Sequence, residues 1–294
     1  MKTFDFHGWP VKYAHAGSGE PVIFLHNGGT SHAIWNEVMP RLSRHYELFA
    51  LDLPGFGASA RPGPGFTLDH YVAMIGEFVD CHRLAPVMLT GNCMGSAMSL
   101  AFAIRRPRDV RALVLVNPLT AATISAGELG PVIQFRRRAP ALAGPAYGML
   151  GRLRLTEWIG GQVLRFQTGP EGRARNVEQN AELRQCYAAP GQMQALLAVV
   201  DDIESYAALD RFTPDGKFPP LCTIWGLDNR VLSPKAGRTL NQTLRPRREE
   251  WLEGCGHLPM LEQPETVAGI IEDFLREHGP SRLRVVSPKT VEAR

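Results

Sequence analysis

The sequence predicts an α/β protein with a mostly parallel eight-stranded sheet, helices on both faces and a helical cap inserted after the sixth strand. Short apolar runs alternate with amphipathic segments in residues 1–119, the pattern typical of layered strands and helices. From about 120 to 215 the segments look helical, are broken by Gly and Pro, and contain no run typical of a buried strand. The alternating pattern then resumes, which indicates that the chain returns to the same sheet.

Eight segments have the length and apolar content of strands. They are 3–9, 11–16, 21–25, 46–51, 86–90, 110–117, 221–226 and 249–252. The first two are expected to join at Pro10. The resulting organisation is a core of 1–119 and 216–280, a helical cap of 120–215 and a disordered polar tail of 281–294.

Helices are predicted between the strands at 34–43, 69–84, 96–103, 234–244 and 265–277. In the second of these, Asp69 is the expected N-cap. Val72, Ile75 and Val79 follow at helical spacing, so they are expected to mark its buried side.

Composition excludes several functional classes. The chain has 294 residues, a net charge of +3, 44% hydrophobic and 21% charged residues, as in an ordinary globular protein. Its Lys and Arg residues are scattered, so nucleic-acid binding is not indicated. No apolar run reaches the roughly 18 residues of a spanning helix, and the first twenty residues hold no apolar signal core. We therefore expect a cytoplasmic protein that does not bind membranes; nothing predicts its oligomeric state.

Cysteine and histidine usage argues against bridges and metals. The five cysteines, an odd number, are irregularly spaced, which is not typical of a disulfide framework. The nine histidines form no His-x-His or His-Glu-x-x-His pattern. No disulfide, metal or redox cofactor is expected.

Two groups of residues in the predicted cap have alternative explanations. The arginines could meet an anionic group such as a phosphopantetheine or a carboxylate, although a solvated helix face is the commoner explanation; they are Arg136, Arg137, Arg138, Arg152 and Arg154. Large apolar residues could line a substrate pocket or pack the core of the cap itself; they are Met149, Trp158, Phe166, Met193, Leu196 and Leu197.

The stretch Gly91-Asn92-Cys93-Met94-Gly95 joins an apolar strand to a helix. A turn this sharp brings backbone close to backbone, which explains the two flanking glycines. It also holds the Cys93 side chain outward at the positive end of a helix. This is the G-x-S-x-G nucleophile elbow with sulfur in place of the hydroxyl.

Two further turns follow strands. His26-Asn27-Gly28-Gly29-Thr30 has glycines that free backbone N–H groups to point inward, as an oxyanion site requires, or that simply form a tight turn. Asp52 opens a stretch rich in turn formers, where a structural role is commoner than a catalytic one. Near the end, His257 lies in a glycine-flanked loop.

Together these stretches resemble the α/β-hydrolase family over residues 3–278, because the turns at 26–30 and 52–59, the elbow, the Trp225-Gly226 strand end and the Gly256-His257 loop fall in the family's order. The resemblance implies that Cys93 is the nucleophile and His257 the base. It implies an oxyanion hole formed by the backbone N–H of Met94 with that of Gly28 or Asn27.

The third member of the triad is ambiguous. In the family the acid usually follows a strand-end glycine by three residues, which points to Asn229, whereas the neighbouring carboxylate is Asp228. A thiol next to a histidine at a helix N-terminus can rest as a thiolate–imidazolium pair, so a neutral amide would suffice to orient the ring. This favours Asn229 over Asp228.

The predicted reaction is acyl transfer or hydrolysis of a thioester, lactone or activated ester through an acyl group on Cys93. The partner would be a small acyl substrate, either free or carried by another protein. One alternative starts from the wording of the elbow and of Trp225-Gly226-Leu227-Asp228, which is similar to that of hydrolases that cleave carbon–carbon bonds in ring-fission products. Another alternative is a receptor that binds a ligand with little turnover.

Overall fold

A computed structural model describes residues 1–62, 66–139 and 148–279. Eight strands form one sheet in the order β1-β2-β4-β3-β5-β6-β7-β8. β1 and β2 and then β2 and β4 pair antiparallel, and all other neighbours are parallel. The strands are β1 Lys2–Phe6, β2 Trp9–Gly17, β3 Glu20–Leu25, β4 Tyr46–Leu51, β5 Val87–Asn92, β6 Val110–Val116, β7 Leu221–Gly226 and β8 Arg248–Leu252. The predicted α/β class and eight-stranded sheet are confirmed.

Helices connect the strands. Within the core they are α1 Met39–Leu42, α2 Leu68–His82 and α3 Met94–Arg105. Between β6 and β7 lie α4 Ala121–Ser125, α5 Gly130–Arg138, α6 Glu157–Gln167, α7 Pro170–Ala174, α8 Ala181–Ala188 and α9 Gln192–Asp201. After β7 come α10 Pro234–Leu244, α11 Pro259–Glu262 and α12 Pro264–His278. Short 3₁₀ helices occupy His32–Trp35, Pro107–Asp109, Val177–Gln179 and Ile203–Arg211.

The central strands are buried on both faces. In β3, Ile23 and Leu25 enter the hydrophobic cluster that includes α2 and α3. Val22 and Phe24, which alternate with them, enter the opposite cluster with α12. Because successive side chains of a strand point to opposite faces, helices cover the sheet on both sides.

The first hairpin turns earlier than predicted. Its two central residues are His7 and Gly8, with φ of 52° and 83°, while Pro10 lies within β2 opposite Asp5. A two-residue turn with positive φ at both positions matches the twist of the paired strands. The prediction of a joint at Pro10 was therefore wrong, because the turn lies at His7 and Gly8.

Two helix predictions also need correction. The segment predicted as a helix at 34–43 is a 3₁₀ turn followed by α1, because Pro40 has no N–H to continue a helix from Asn36 and its ring would clash there. The N-cap of α2 is Thr67 and not Asp69, which lies inside the helix. Thr67 and His70 cap it with reciprocal hydrogen bonds, and Asp69 pairs instead with Arg105.

The segment between β6 and β7, hereafter the insertion, contains helices and turns and no strand among its described residues. Two side chains predicted to line a pocket or pack its core point outward: Met149 is 66% and Trp158 67% exposed. Phe166 lies under the guanidinium of Arg230, 4.4 Å from the ring centroid.

The predicted tail at 281–294 lies outside the described residues. No helix in the described part is long and apolar enough to cross a membrane.

We predict opposite effects from alanine at two helix glycines. A Cβ at Gly237 in α10 would lie 2.7–2.8 Å from ring atoms of buried Trp225, so Gly237→Ala should lower the free energy of unfolding by about 1–3 kcal/mol. At Gly269 in α12 the nearest atom, of Arg41, is 3.9 Å away, so Gly269→Ala should raise stability by up to about 1 kcal/mol. Urea unfolding measures the free energy of unfolding of both variants. Equal changes in the two variants would contradict the prediction that a Cβ at Gly237 clashes with Trp225.

Candidate active site

The elbow places Cys93 in a strained conformation between β5 and α3. Its backbone has φ of 54° and ψ of −113°, which is rare for a residue with a side chain. A Cβ at Gly91 would lie 2.3 Å from the Gly95 backbone, and one at Gly95 2.3 Å from the Leu25 carbonyl oxygen. Gly91 is therefore required for the tight turn into α3, and Gly95 for the packing of that turn against β3.

Hydrogen bonds hold the strained residue from both sides. The Cys93 N–H donates to the Val116 carbonyl over 2.9 Å, and the Cys93 carbonyl accepts from Leu119 N–H over 3.2 Å. Ala97 N–H, one turn into α3, donates to the same carbonyl over 3.1 Å. The neighbouring strand and the helix thus fix the direction in which the thiol points.

His257 is brought to the elbow by amide side chains that sequence reasoning missed. Asn92, just before Cys93, and Asn117, just after β6, each donate from Nδ2 to the His257 carbonyl over 3.2 Å. The His257 N–H donates to the Gln167 carbonyl at the end of α6, over 2.6 Å. Core and insertion therefore position the histidine together.

A buried carboxylate fastens the rest of the histidine loop. Glu262, 1% exposed, accepts from the N–H groups of Gly256 at 2.9 Å and Leu258 at 3.1 Å. It also accepts from Gly169 N–H of the insertion at 2.7 Å. No sequence pattern distinguished this glutamate from a surface residue, since its role depends on burial beside three backbone donors.

Asn229, rather than Asp228, lies against the histidine. Its Oδ1 is 3.2 Å from His257 Nδ1 and also accepts from the N–H groups of Val231 and Leu232, each over 3.0 Å. Because two backbone donors identify this atom as the oxygen, His257 Nδ1 carries the proton. Nε2 is then free to accept one. Asp228 is exposed.

Burial sets the protonation of both reactive groups. It raises the pKa of the Cys93 thiol to about 12 and lowers the pKa of the His257 imidazole to about 3. Both are neutral at pH 7, because proton transfer in the resting site would create two poorly solvated charges. The directions of both pKa shifts favour a neutral pair at rest over the thiolate–imidazolium pair expected from the sequence.

The predicted oxyanion donors lie beside the elbow. The Met94 N–H is directed at the Cys93 sulfur, where it opposes the effect of burial on the pKa of the thiol. A Cβ at Gly28 would lie 3.4 Å from Met94 Sδ, so the turn of residues 26–30, hereafter the oxyanion loop, packs against the nucleophile turn. Within it, Asn27 accepts a hydrogen bond from the Thr30 hydroxyl over 2.8 Å.

Buried His26 supports the oxyanion loop, and buried Asp52 holds the 3₁₀ turn that follows it. His26 accepts from Leu53 N–H at Nε2 over 2.9 Å and donates from Nδ1 to the Asn27 carbonyl over 2.7 Å, and burial lowers its pKa to about 4. Asp52 accepts from the N–H and Nδ1 of His32 and from Ala58 N–H, each over 2.8 Å. Asp52 therefore has the structural position that the sequence favoured.

The insertion covers the oxyanion loop with two side chains. A Cβ at Gly29 would lie 2.5 Å from the Tyr187 ring, and one at Gly28 3.0 Å from Leu196 Cδ2. The Tyr187 hydroxyl accepts from Gln167 Nε2 over 2.8 Å. Burial raises the pKa of Tyr187, the hydrogen bond from Gln167 opposes this rise, and Cys186 and Cys93 have smaller effects. Sequence reasoning missed Tyr187, whose short helix α8 shows no distinctive pattern.

Comparison with known proteins places this chain in a family. A family model of the α/β hydrolase fold matches residues 20–264. The chain is 29% identical to the 2-hydroxy-6-oxo-2,4-heptadienoate hydrolase of Pseudomonas putida over 269 residues, 88% of this chain and 90% of that enzyme. It is 28% identical to the 2-hydroxymuconate semialdehyde hydrolase of a Pseudomonas species over 279 residues, 89% of each chain.

Solved structures share the architecture. A thermophilic esterase from Thermogutta terrifontis superposes with a TM-score of 0.75 at 20% identity, over 94% of this chain and 97% of that one. At this identity the likeness concerns the fold.

Within the described residues, no group of three or more His, Cys, Asp or Glu side chains could hold a metal ion.

We predict slow alkylation of Cys93 by iodoacetamide at pH 7–9, with a rate that still rises at pH 10, because burial raises the pKa of the thiol to about 12. Asn229→Asp should speed the reaction at pH 8, since a carboxylate at His257 Nδ1 stabilises the imidazolium that accompanies a thiolate. Mass mapping separates Cys93 from exposed Cys81. Asp228→Asn, a change at the adjacent exposed position, should have no effect; a wild-type plateau near pH 8 would contradict the prediction.

Acid should destabilise the fold through two buried histidines. The pKa values of His26 and His257 are lowered to about 4 and about 3, from about 6.5 in an unfolded chain. As the pH falls below about 6.5, the unfolded chain takes up protons that the folded chain excludes, so the free energy of unfolding decreases. Urea midpoints at pH 7 and pH 5 measure this loss. His257→Asn should reduce it, whereas His45→Gln, at an exposed site, should leave it unchanged.

Proposed function

Because this chain belongs to the α/β hydrolase family, we propose that it is a hydrolase that cleaves a carbon–carbon bond beside a carbonyl group, with Cys93 as the nucleophile. The bond type is supported by its similarity to relatives named for 2-hydroxy-6-oxo-2,4-heptadienoate and 2-hydroxymuconate semialdehyde. The observation that carries the proposal is the arrangement of Cys93, His257 and Asn229. It combines a cysteine on a strained elbow with an imidazole whose Nδ1 is held by Asn229, which leaves Nε2 able to accept a proton.

The first half of the reaction forms an acyl-thioenzyme. The Cys93 sulfur attacks the carbonyl carbon while its proton passes to His257 Nε2, so the resting thiol need not be ionised. The oxyanion forms next to the Met94 N–H and the oxyanion loop, with the N–H of Gly28 or Asn27 as the second donor. Asn229 Oδ1 keeps the ring in the required tautomer throughout.

The second half releases both products. The tetrahedral intermediate collapses, the carbon–carbon bond breaks, and its electron pair leaves with the departing carbon as an enolate that takes the proton from His257. Water then attacks the thioester with His257 as base, giving a carboxylic acid and the free thiol. The departing carbon must be conjugated to an electron-accepting group, so the substrate is a conjugated or diketone-like compound.

A second candidate is hydrolysis or transfer at a thioester, lactone or activated ester. The observation that favours it is the sulfur of Cys93 itself. In the tetrahedral intermediate the Cys93 thiolate competes with the leaving group of the substrate, and a thiolate leaves more readily than an alkoxide does. Substrates that carry good leaving groups therefore suit a cysteine nucleophile. The two candidates share the acyl-thioenzyme and differ in the bond that breaks to form it.

One experiment tests both candidates. The purified protein is assayed with a 2-hydroxy-6-oxo-2,4-dienoate, followed by loss of its conjugated absorbance, and with p-nitrophenyl acetate. Cys93→Ala should lower kcat by about 10³-fold or more for the true substrate class. Cys81→Ser, which removes an exposed thiol, should leave kcat unchanged.

Intact-mass spectrometry distinguishes the mechanisms. Rapidly quenched samples of the wild type should contain an acyl adduct that maps to Cys93, whereas His257→Ala should form it far more slowly, because the group that accepts the thiol proton is gone. Turnover without any adduct, and without dependence on Cys93, would exclude covalent catalysis. If Cys93→Ala and wild type bind a ligand equally and neither turns it over, the protein acts as a receptor and the proposal fails.

A further inference from the structure

The insertion contains a buried amide with no hydrogen-bond partner. Gln192, the first residue of α9, is 1% exposed. Both its Oε1 and its Nε2 are buried, and neither has a partner among the described residues. Leaving a donor and an acceptor unsatisfied in the interior is strongly unfavourable, so such a group in a folded protein calls for an explanation.

The position of Gln192 links it to the catalytic turn. Tyr187, five residues earlier, packs against Gly29, and Leu196, one helical turn later on the same face of α9, packs against Gly28. The unpartnered amide therefore lies in the stretch of the insertion that covers the oxyanion loop. Gln167, whose carbonyl accepts from the His257 N–H, also has a buried side-chain oxygen, Oε1, with no partner among the described residues.

The buried surroundings of Gln192 offer no cation to an anion. The Arg61 side chain, whose Cδ would lie 3.1 Å from a Cβ at Gly191, is exposed and donates to the Gly57 carbonyl over 3.3 Å. No Lys or Arg side chain is buried in the described part of the chain, whereas two carboxylates, Asp52 and Glu262, are. A substrate carboxylate beneath the insertion would lose its hydration without gaining a cation. A neutral polar group would instead find in Gln192 one donor and one acceptor.

We propose that Gln192 is a substrate-binding residue that pairs with an uncharged group carrying both a donor and an acceptor, such as a carboxamide or a hydroxyl beside a carbonyl. The inference rests on the proposed hydrolase function and narrows its substrate class. The part of the substrate under the insertion is uncharged. Any carboxylate that the substrate carries stays outside the insertion.

The test uses hexanamide and hexanoate at pH 7.5, probes of one length that differ in charge. Hexanamide should raise the Tm of the wild type and compete with p-nitrophenyl acetate about tenfold better than hexanoate does. Gln192→Leu should weaken the binding of hexanamide about tenfold and leave the binding of hexanoate unchanged. Without ligand its Tm should rise, because two unsatisfied polar atoms are removed.

Gln194→Leu is the matched control, since it makes the same change at an exposed position of the same helix, and it should alter neither probe. Equal binding of the two probes, or unchanged hexanamide binding in Gln192→Leu, would overturn the inference. A lower Tm together with lost turnover in Gln192→Leu would show a structural role and overturn it as well. If the wild type does not turn over p-nitrophenyl acetate, ester hydrolysis fails as a function, and the Tm shift with hexanamide still decides the role of Gln192.

Discussion

The backbone conformation of Cys93 is the constraint on which the candidate site depends. A positive φ at a residue with a Cβ persists only where its surroundings over-determine it. Here they do so through contacts that only glycine permits at Gly91 and Gly95, and through hydrogen bonds to Val116 and Leu119. The same turn supplies Asn92, whose amide draws in the carbonyl of His257. One short segment thus positions Cys93 and helps to position His257.

The chemistry that this arrangement supports is neutral at rest. Asn229 orients the imidazole through an oxygen that already accepts two backbone N–H groups, and it adds no charge. Burial keeps the thiol protonated and the ring unprotonated. In the proposed reaction, charge therefore develops only when a carbonyl group arrives to accept the electron pair of sulfur.

The strands, the elbow and the His257 loop could be predicted because apolar periodicity and turn-forming residues are local signals. The choice of Asn229 over Asp228 as the neighbour of His257 could also be inferred from spacing. Glu262, Tyr187 and Gln192 could not, because their roles arise from burial and from neighbours distant in sequence. The resting ion pair was inferred from residue types alone, which carry no information about how completely a site is desolvated.

The insertion and the histidine loop are fastened to each other. The end of α6 accepts the His257 N–H through Gln167, and Gly169 donates to the carboxylate that holds the same loop. α8 is fastened to α6 in turn, because the Tyr187 hydroxyl accepts from Gln167 Nε2 over 2.8 Å. The helices that cover the oxyanion loop and the loop that carries His257 therefore form one mechanical unit, so any change that displaces α6 or α8 also displaces the histidine.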